Sequence, residues 1–338
     1  MRRIPPLVAL ILASPSAAHA VAPGNAAPQP LAHTYSIVAR DPKTGQMGVA
    51  VQSHYFSVGP VVPWAEAGVG AVATQSLVLV DYGPNGLALM KQGMTAQEAL
   101  DSLLKADAHN EGRQVAMVDA KGNVATYSGK NCIPFAGHKS GDQYSCQANL
   151  MASDQVWPAM SAAYEKATGD LADRMLAALE AGQKAGGDIR GMQSAAILIV
   201  KPVSTGKPWN DKVMDLRVED SPHPLAELKR LMRLRRAYDL EDQGDNFISE
   251  KKPEEALKAY EEASKLAPDV VELNFWAAVS MYTNGRAPEG LALFKKVFAA
   301  EPQWVDLVPR LAQVGLFPNE KAKIAEVQAQ RAGGAAKH

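Results

Sequence analysis

The chain has 338 residues, of which 47% are hydrophobic and 21% are charged, so it can bury a sizeable core and is neither disordered nor fibrous. Its 35 basic residues nearly balance 36 acidic residues, and the formal net charge of -1 argues against a partner bound through a phosphate backbone. We therefore expect two domains and no nucleic-acid partner.

The first twenty residues have the features of an export signal. Arg2 and Arg3 provide a positive start, residues 7–13 form an apolar stretch, and residues 18–20 (AHA) form a small-x-small cleavage site. The apolar stretch is too short to span a bilayer, and no later apolar run reaches spanning length. We predict removal of the signal peptide 1–20 and a periplasmic or secreted protein that does not contact the membrane afterwards.

A short segment separates the signal from the first ordered element. Residues 21–33 are rich in Pro and Ala and lack any periodicity, which is typical of a flexible leader. The β-rich run that follows predicts that ordered structure begins at Thr34.

Two cysteines, Cys132 and Cys146, flank a loop rich in glycine and polar residues. An oxidising compartment would allow them to pair, and such a bridge would contribute on the order of 3 kcal/mol. Two unpaired thiols are an alternative, and a metal site with His138 as third ligand is another. A disulfide is the prediction, with no metal site.

Residues 34–220 are predicted to contain blocks of strands separated by pairs of helices. The runs 34–40 and 47–53 are rich in β-formers and flank a Pro- and Gly-containing turn, which predicts a hairpin. Further strands are predicted at 61–64, 69–76, 114–119, 123–128, 147–152 and 193–200, and helices at 83–93, 95–106, 154–166 and 171–184. Because these blocks cannot alternate as β-α-β units, we predict an α+β fold, a four-layer αββα sandwich.

Beyond Pro222 the sequence predicts helices only, and residues 223–330 form the second predicted domain. Small, aromatic and proline residues recur with a period of 34: Gly244, Phe247, Ala256, Tyr260, Ala263 and Pro268 return as Ala278, Met281, Gly290, Phe294, Val297 and Pro302. This is the tetratricopeptide pattern, and it predicts an all-α helical repeat domain with two matched units. Such repeats often bind peptides on a concave surface.

Most familiar catalytic signatures are absent from the chain. It contains no G-x-S-x-G, no H-E-x-x-H and no phosphate-binding G-x-x-x-x-G-K-[ST]. Thr34 remains as a candidate, because removal of the leader would give it a hydroxyl and a free α-amine together. The amine, with a pKa of about 8, could then act as the base for the hydroxyl.

Several ordered segments resemble a known bacterial family. TYSIVARDPKTGQMGVAVQS, VGPVVPWAEAGVGAVATQS, YGPNGLALMKQGMTAQEAL, RQVAMVDAKGNVATYSG, CIPFAGH and GGDIRGMQSAAILIV resemble, in order and spacing, domain of unknown function 1028. The resemblance covers about residues 34–240, and that family is similar to the N-terminal-nucleophile hydrolases. It implies the αββα sandwich and hydrolysis of an amide bond by an N-terminal threonine, here Thr34.

Other polar residues lie at predicted strand ends and are candidates for the same site. Ser53 and His54 form an alternative serine-histidine arrangement, together with Ser194. Oxyanion donors and a clamp for a substrate carboxylate are predicted among Thr74, Gln75, Asn149, Asp188, Arg190, Gln193 and Ser194.

The predicted function is that of an exported amidohydrolase acting on a small-molecule or peptide amide, without a cofactor. The alternative is a non-catalytic protein whose helical repeats bind a peptide or a cell-wall fragment. A peptide partner for the repeats is compatible with either function, and a homo-oligomer is left open.

Overall fold

The computed structural model describes residues 31–331, so the predicted signal peptide and most of the leader lie outside the described residues. Ordered structure begins before the predicted boundary at Thr34. Leu31–Ala32 form a short strand, β1, and His33 after it is buried. The end of the predicted leader is therefore part of the fold, because it pairs with a sheet and inserts among buried side chains.

Eleven strands in the described part of the chain form two antiparallel sheets. The first sheet has the order β1-β5-β6-β7, with β4 also paired to β5, and the second has the order β11-β10-β3-β2-β9-β8. After β1, the strands are β2 Thr34–Arg40, β3 Met47–Ser53, β4 Pro63–Glu66, β5 Gly70–Leu77, β6 Arg113–Asp119, β7 Val124–Ser128, β8 Gly137–Gly141, β9 Tyr144–Ala148, β10 Ser194–Val200 and β11 Lys212–Val218. The predicted α+β class is confirmed.

Two helix pairs cover the outer faces of the sheets. Helices α1 (Tyr82–Lys91) and α2 (Ala96–Ala106) pack on the first sheet, while α3 (Val156–Lys166) and α4 (Leu171–Lys184) pack on the second. The start of α2 has a capping box, because the Thr95 side chain accepts from the Glu98 N–H and the Glu98 carboxylate accepts from the Thr95 N–H.

Three apolar cores separate these layers, and strand alternation assigns each residue to one of them. On β2, Ile37 packs towards α3 and α4, whereas Val38 packs between the sheets. On β5, Ala73 lies between the sheets, whereas Val72 packs against α1 and α2. The layers therefore stack in the order helices, sheet, sheet, helices.

The predicted pairing of Cys132 with Cys146 is wrong, because both thiols are free in this structure. The loop between them forms the β8–β9 hairpin, and β9 turns Cys146 into the core under α3 and α4. Cys132 instead lies beside the first sheet, where its thiol donates to the Arg113 carbonyl at 3.4 Å. Burial raises the pKa of both thiols, which keeps them protonated and unreactive.

A buried ion pair joins β6 to the loop after α2. Arg113 Nε donates to Asp107 Oδ2 at 2.8 Å, and both side chains are less than a tenth exposed. Removing one partner of a buried pair leaves an uncompensated charge.

We expect Arg113→Met to lower the free energy of unfolding by about 3 kcal/mol, measured by urea denaturation. Lys91→Met breaks the exposed pair with Glu66 and should lower the free energy of unfolding by less than about 1 kcal/mol. Equal decreases for the two variants would contradict the stabilising role of the buried pair.

The C-terminal part of the described chain is mostly helical, as predicted. Its helices are α5 Pro224–Ser249, α6 Pro253–Leu266, α7 Val271–Thr283, α8 Ala287–Ala300, α9 Leu307–Gln313 and α10 Lys321–Gln328. The first turns of α5 belong to the sandwich, since Leu225, Leu228 and Met232 pack into the core of the second sheet. No helix in residues 31–331 is long and apolar enough to cross a membrane.

The 34-residue period corresponds to two successive helix pairs. Gly244 of α5 lies against Tyr260 of α6, and a Cβ at this glycine would come within 2.6 Å of that ring. One period later, Ala278 of α7 lies against Gly290 of α8, where a Cβ would be 2.9 Å from the Ala278 carbonyl oxygen. Small residues recur in the sequence because both helix pairs cross closely there.

Carboxylates crowd the surface where α5 meets α7. Burial and the charges of Glu272, Asp245 and Asp242 raise the pKa of Glu241 to about 7. Protonated Glu241 therefore favours the folded state, and this stability is lost as the pH rises from the ordinary pKa of glutamate through about 7.

We expect Glu241→Gln to raise the unfolding temperature by about 1 to 3 °C at about pH 8 and to leave it unchanged at about pH 4. The thermal circular dichroism transition measures both, and a lower unfolding temperature at the higher pH would contradict the assigned pKa.

Candidate active site

Polar side chains replace the apolar core at one end of the space between the sheets. Thr34 begins β2, Ser53 ends β3 directly opposite it, Gln75 and Gln114 face each other on β5 and β6, and Asn149 follows β9. All five residues, the polar cluster, have no solvent exposure. Buried polar groups need hydrogen-bond partners, and these residues provide them for one another.

Strand alternation explains why these residues meet. On β2, Val38 faces the other sheet, so Thr34, four residues earlier, faces it too. On β3, Val49 and Val51 face the other sheet, and Ser53 continues their row. The same alternation places Gln75 in line with Ala73 and Gln114 in line with Ala116.

Three amide side chains fix the carbonyl of Thr34. Gln114 Nε2 donates to the Ala148 carbonyl at 2.9 Å, which leaves its Oε1 to accept from Gln75 Nε2 at 2.8 Å and Asn149 Nδ2 at 2.9 Å. The same two amide groups donate to the Thr34 carbonyl oxygen, at 3.1 Å and 3.4 Å. The oxygen of Asn149 therefore points away from Gln114, towards His33.

His33 occupies a closed position beside this network. Its ring Nδ1 lies 2.8 Å from Asn149 Oδ1, and the side chain is 2% exposed. Because Asn149 Oδ1 can only accept, Nδ1 carries the proton. Burial lowers the pKa of His33, and the Arg190 charge lowers it further. These two effects outweigh the hydrogen bond that His33 donates to Asn149 and the Asp188 charge, which both raise the pKa. The imidazole is therefore neutral near pH 7.

Two donors converge on the carbonyl oxygen of the His33–Thr34 peptide bond. Ser53 Oγ donates to it at 2.6 Å, and Arg190 Nη2 donates to it at 2.9 Å. Asp188 holds the guanidinium with hydrogen bonds of 2.7 Å and 3.0 Å, and its own carboxylate is buried. Positioned donors of this kind stabilise negative charge that develops on a carbonyl oxygen.

The hydroxyl of Thr34 is adjacent to the same peptide bond. It lies 2.8 Å from the Ala32 carbonyl oxygen and 3.0 Å from Ser53 Oγ. Since Ser53 donates its proton to the His33 carbonyl, its oxygen is free to accept from Thr34. The structure thus gathers Thr34, Ser53, Asp188 and Arg190, all predicted site residues, around one carbonyl group.

Three other predicted residues lie near the site without reaching this carbonyl with their side chains. Gln193 contributes its backbone N–H, which donates to the Ser53 carbonyl at 3.1 Å. Ser194 Oγ donates to the Tyr55 carbonyl and accepts from the backbone of the loop after β3. Thr74 lies on the opposite face of β5 from Gln75, and its hydroxyl donates to the Leu79 carbonyl. These residues support loops.

The predicted serine-histidine alternative is not formed in the described structure. Ser53 Oγ is engaged with the His33 carbonyl, and Ser194 Oγ is engaged with the loop backbone. His54 contributes its backbone N–H to Asp188, while its buried Nδ1 has no partner among the described residues. No imidazole is hydrogen-bonded to either serine.

Sequence reasoning missed His33 and Gln114, the residues at the two ends of the network. Gln114 could have been found from the strand pattern, because it lies on the same face of β6 as Ala116 and Val118, which face the core between the sheets. His33 had no such signal, because it follows a Pro- and Ala-rich segment. Within residues 31–331, no group of three or more His, Cys, Asp or Glu side chains is arranged to hold a metal ion.

Two residues beside the site have left-handed backbone conformations. Ser76 follows Gln75 and has φ of 76°, and Leu150 follows Asn149 and has φ of 57°. Such conformations are uncommon for residues other than glycine and often occur beside functional groups. Ser76 lies within β5, one residue before its end, whereas Leu150 lies beyond the end of β9.

Comparisons with known proteins place the chain in a family. A protein from Silicibacter pomeroyi, for which a crystal structure is known, is 28% identical in sequence to this chain. The match covers 60% of this chain and 85% of that chain, and the two structures superimpose with a TM-score of 0.54. The description of that structure names the family model DUF1028. No curated protein matches the chain. The family described as DUF1028, a family of unknown function, matches residues 34–228, more than half of the chain. The chain therefore belongs to the DUF1028 family.

Proposed function

We propose that this protein is an exported amidohydrolase of the N-terminal-nucleophile type, which produces its own nucleophile by cleaving the His33–Thr34 peptide bond. The observation that carries the proposal is the pair of donors on the His33 carbonyl oxygen, Ser53 Oγ at 2.6 Å and Arg190 Nη2 at 2.9 Å. A buried threonine hydroxyl on the next residue completes the arrangement.

The first reaction is an acyl shift within the chain. Thr34 Oγ1 attacks the carbonyl carbon of His33 and closes a five-membered ring through its own Cβ, Cα and nitrogen. The C–N bond then breaks, and the hydroxyl proton ends on the nitrogen, which becomes a free amine. Arg190 and Ser53 stabilise the negative charge on the carbonyl oxygen during the attack. Water hydrolyses the resulting ester and releases the leader.

The second reaction uses the exposed N-terminus on a separate amide. The α-amine of Thr34 takes the proton from its own hydroxyl, which attacks the substrate carbonyl, and returns the proton to the leaving amine. The substrate carbonyl occupies the position that the His33 carbonyl leaves, so the same two donors stabilise it. Water then releases the acyl group from Thr34.

Three further features support this function. The family match begins at Thr34, the residue that becomes the N-terminus. The stack of helices, sheet, sheet and helices is the arrangement expected for an N-terminal-nucleophile sandwich. The predicted signal peptide would deliver the chain to the periplasm or the medium, where released leader can diffuse away.

Chemical labelling tests the proposed nucleophile. A β-lactone acylates an activated threonine hydroxyl, so protein lacking the leader should gain one acyl group on the tryptic peptide that starts at Thr34. The same protein carrying Thr34→Ala, which has no hydroxyl at its N-terminus, serves as the control and should not react. Labelling at Ser53 or at Ser194 instead would identify a different nucleophile.

A second candidate function rests on the helical region. We propose that its two 34-residue units are tetratricopeptide-like, and a cavity of about 640 Å³ lies between them and the loop before α10. Tyr260, Trp276 and Phe317 line it together with Asp245, a lining that suits an apolar peptide side chain. Peptide binding by a protein that retains its leader and does not react with the β-lactone would favour this function.

A further inference from the structure

We propose that the site filled by residues 31–33 is a peptide subsite, which binds an extended peptide ending in a histidine-like residue with a free carboxylate. The released leader is its first occupant and an inhibitory product. The enzymatic role of this subsite rests on the proposed function, since only a catalyst has an acyl-side product, whereas the binding itself does not depend on catalysis.

Backbone pairing defines the first part of the subsite. β1 pairs with β5 in antiparallel register, Leu31 with Leu77 and Ala32 with Ser76. Ala32 is fully buried in the core between the two sheets. When the leader leaves, this stretch of the β5 edge loses its partner, and an extended peptide can pair with it as an added strand.

A side-chain pocket defines the second part. His33 fills a closed space. Among the described residues, the only polar atom in hydrogen-bond contact with its ring is Asn149 Oδ1, at 2.8 Å from Nδ1. The amide network orients Asn149 so that this oxygen remains an acceptor after the leader has left. The pocket therefore selects a side chain that carries a hydrogen-bond donor, and an aliphatic side chain would leave the acceptor unpaired.

Charge defines the third part. Hydrolysis of the ester adds the hydroxyl of water to the His33 carbon and gives the other water proton to Thr34 Oγ1. The new carboxylic acid of the leader releases its proton to the solvent and becomes a carboxylate. That carboxylate lies where Arg190 Nη2 and Ser53 Oγ now hold the carbonyl oxygen. Hydrogen bonds between a guanidinium and a carboxylate are stronger than those to a neutral carbonyl, so cleavage strengthens the hold on the leader.

The three parts together specify the substrate class. An extended peptide places the carbonyl of the bond to be cut at Arg190, and the side chain of the same residue reaches Asn149. That amide bond is then presented to Thr34. We infer that the acyl half of the substrate is peptidyl, with a histidine-like residue before the bond that is cut.

The test uses chain 34–338 carrying Thr34→Ala, released from a fusion partner by a cut before residue 34. Of the described elements, this removes only β1, and the pairings among β2 to β11 involve no residue before Thr34, so we expect the fold to be retained. Isothermal titration measures binding of the synthetic peptide PQPLAH, residues 28–33, with a free carboxylate. We expect saturable binding, about tenfold weaker for the peptide amide and about tenfold weaker for PQPLAL.

A matched pair of variants assigns the charge effect. Arg190→Gln in the same protein should abolish the preference for the free carboxylate, whereas Arg230→Gln, on an exposed pair with Glu227, should leave it unchanged. Absence of saturable binding, or equal binding of a scrambled peptide, would overturn the subsite. The tested protein cannot catalyse, so absence of peptide binding would refute the subsite and leave the proposal of Thr34 as nucleophile unaffected. Peptide binding by this protein, combined with a full chain that keeps its leader, would refute Thr34 as nucleophile and leave the subsite unaffected.

Discussion

The chain carrying Thr34→Ala is expected to retain residues 21–33 after export, while the unchanged chain loses them. Alanine has no hydroxyl to attack the His33 carbonyl, so the acyl shift cannot start. The change removes a hydroxyl and a methyl group at a strand end, together with the contacts of the hydroxyl with Ala32 and Ser53. Both strands next to β2 remain paired with it. Intact mass spectrometry of the exported protein gives the answer directly.

Thr34→Ser is the matched control for this experiment. Serine keeps the hydroxyl and should remove the leader, although more slowly, because its side chain has more rotamers than the β-branched threonine. Both variants should show the circular dichroism spectrum of the unchanged protein. Removal of the leader from the Thr34→Ala protein would show that another protease makes the cut, and the self-cleavage step would be wrong.

Arg190→Gln is expected to slow leader removal by on the order of 10² to 10³, the usual effect of losing one donor to a developing oxyanion. Arg190 Nη2 is one of only two donors on the His33 carbonyl oxygen among the described residues. A time course of intact mass measures the rate. Arg190→Lys keeps the positive charge but loses the forked geometry, and an intermediate rate is expected.

Two controls separate this effect from a loss of stability. Asp188 keeps backbone N–H donors from His54 and Arg190 in the Arg190→Gln protein, so the buried carboxylate is not left without partners. Thermal unfolding should therefore shift by only a few degrees. The Arg230→Gln protein, which loses an arginine from an exposed ion pair on α5, should remove its leader at the normal rate. Normal processing of the Arg190→Gln protein would exclude Arg190 from the reaction.

Local patterns predicted much of the fold because they depend on neighbouring residues only. The β2–β3 hairpin follows from a turn between two β-rich runs, and the start of α2 follows from the spacing of Thr95 and Glu98. The close crossings at Gly244 and Gly290 were visible as a period in the sequence. The β8 strand was missed because its glycines and polar residues are typical of a loop.

The site was only partly predictable because it depends on which strands become neighbours. Thr34, Asp188 and Arg190 were predicted as candidates, but their meeting at the His33 carbonyl requires the β2–β3 register and the path of the loop before β10. The burial of His33 is a tertiary effect that its own neighbours in sequence do not indicate. The cysteines show the same limit, since spacing alone did not reveal that they face different layers.

The N-terminal residue of the exported protein tests the central claim most directly. The unchanged chain, expressed with its signal and recovered from the periplasm or the medium, is subjected to N-terminal sequencing. We expect every residue up to His33 to be removed, so that the folded protein begins at Thr34 with the sequence Thr-Tyr-Ser-Ile. A stable protein that starts at Val21, with the leader still attached, would contradict it.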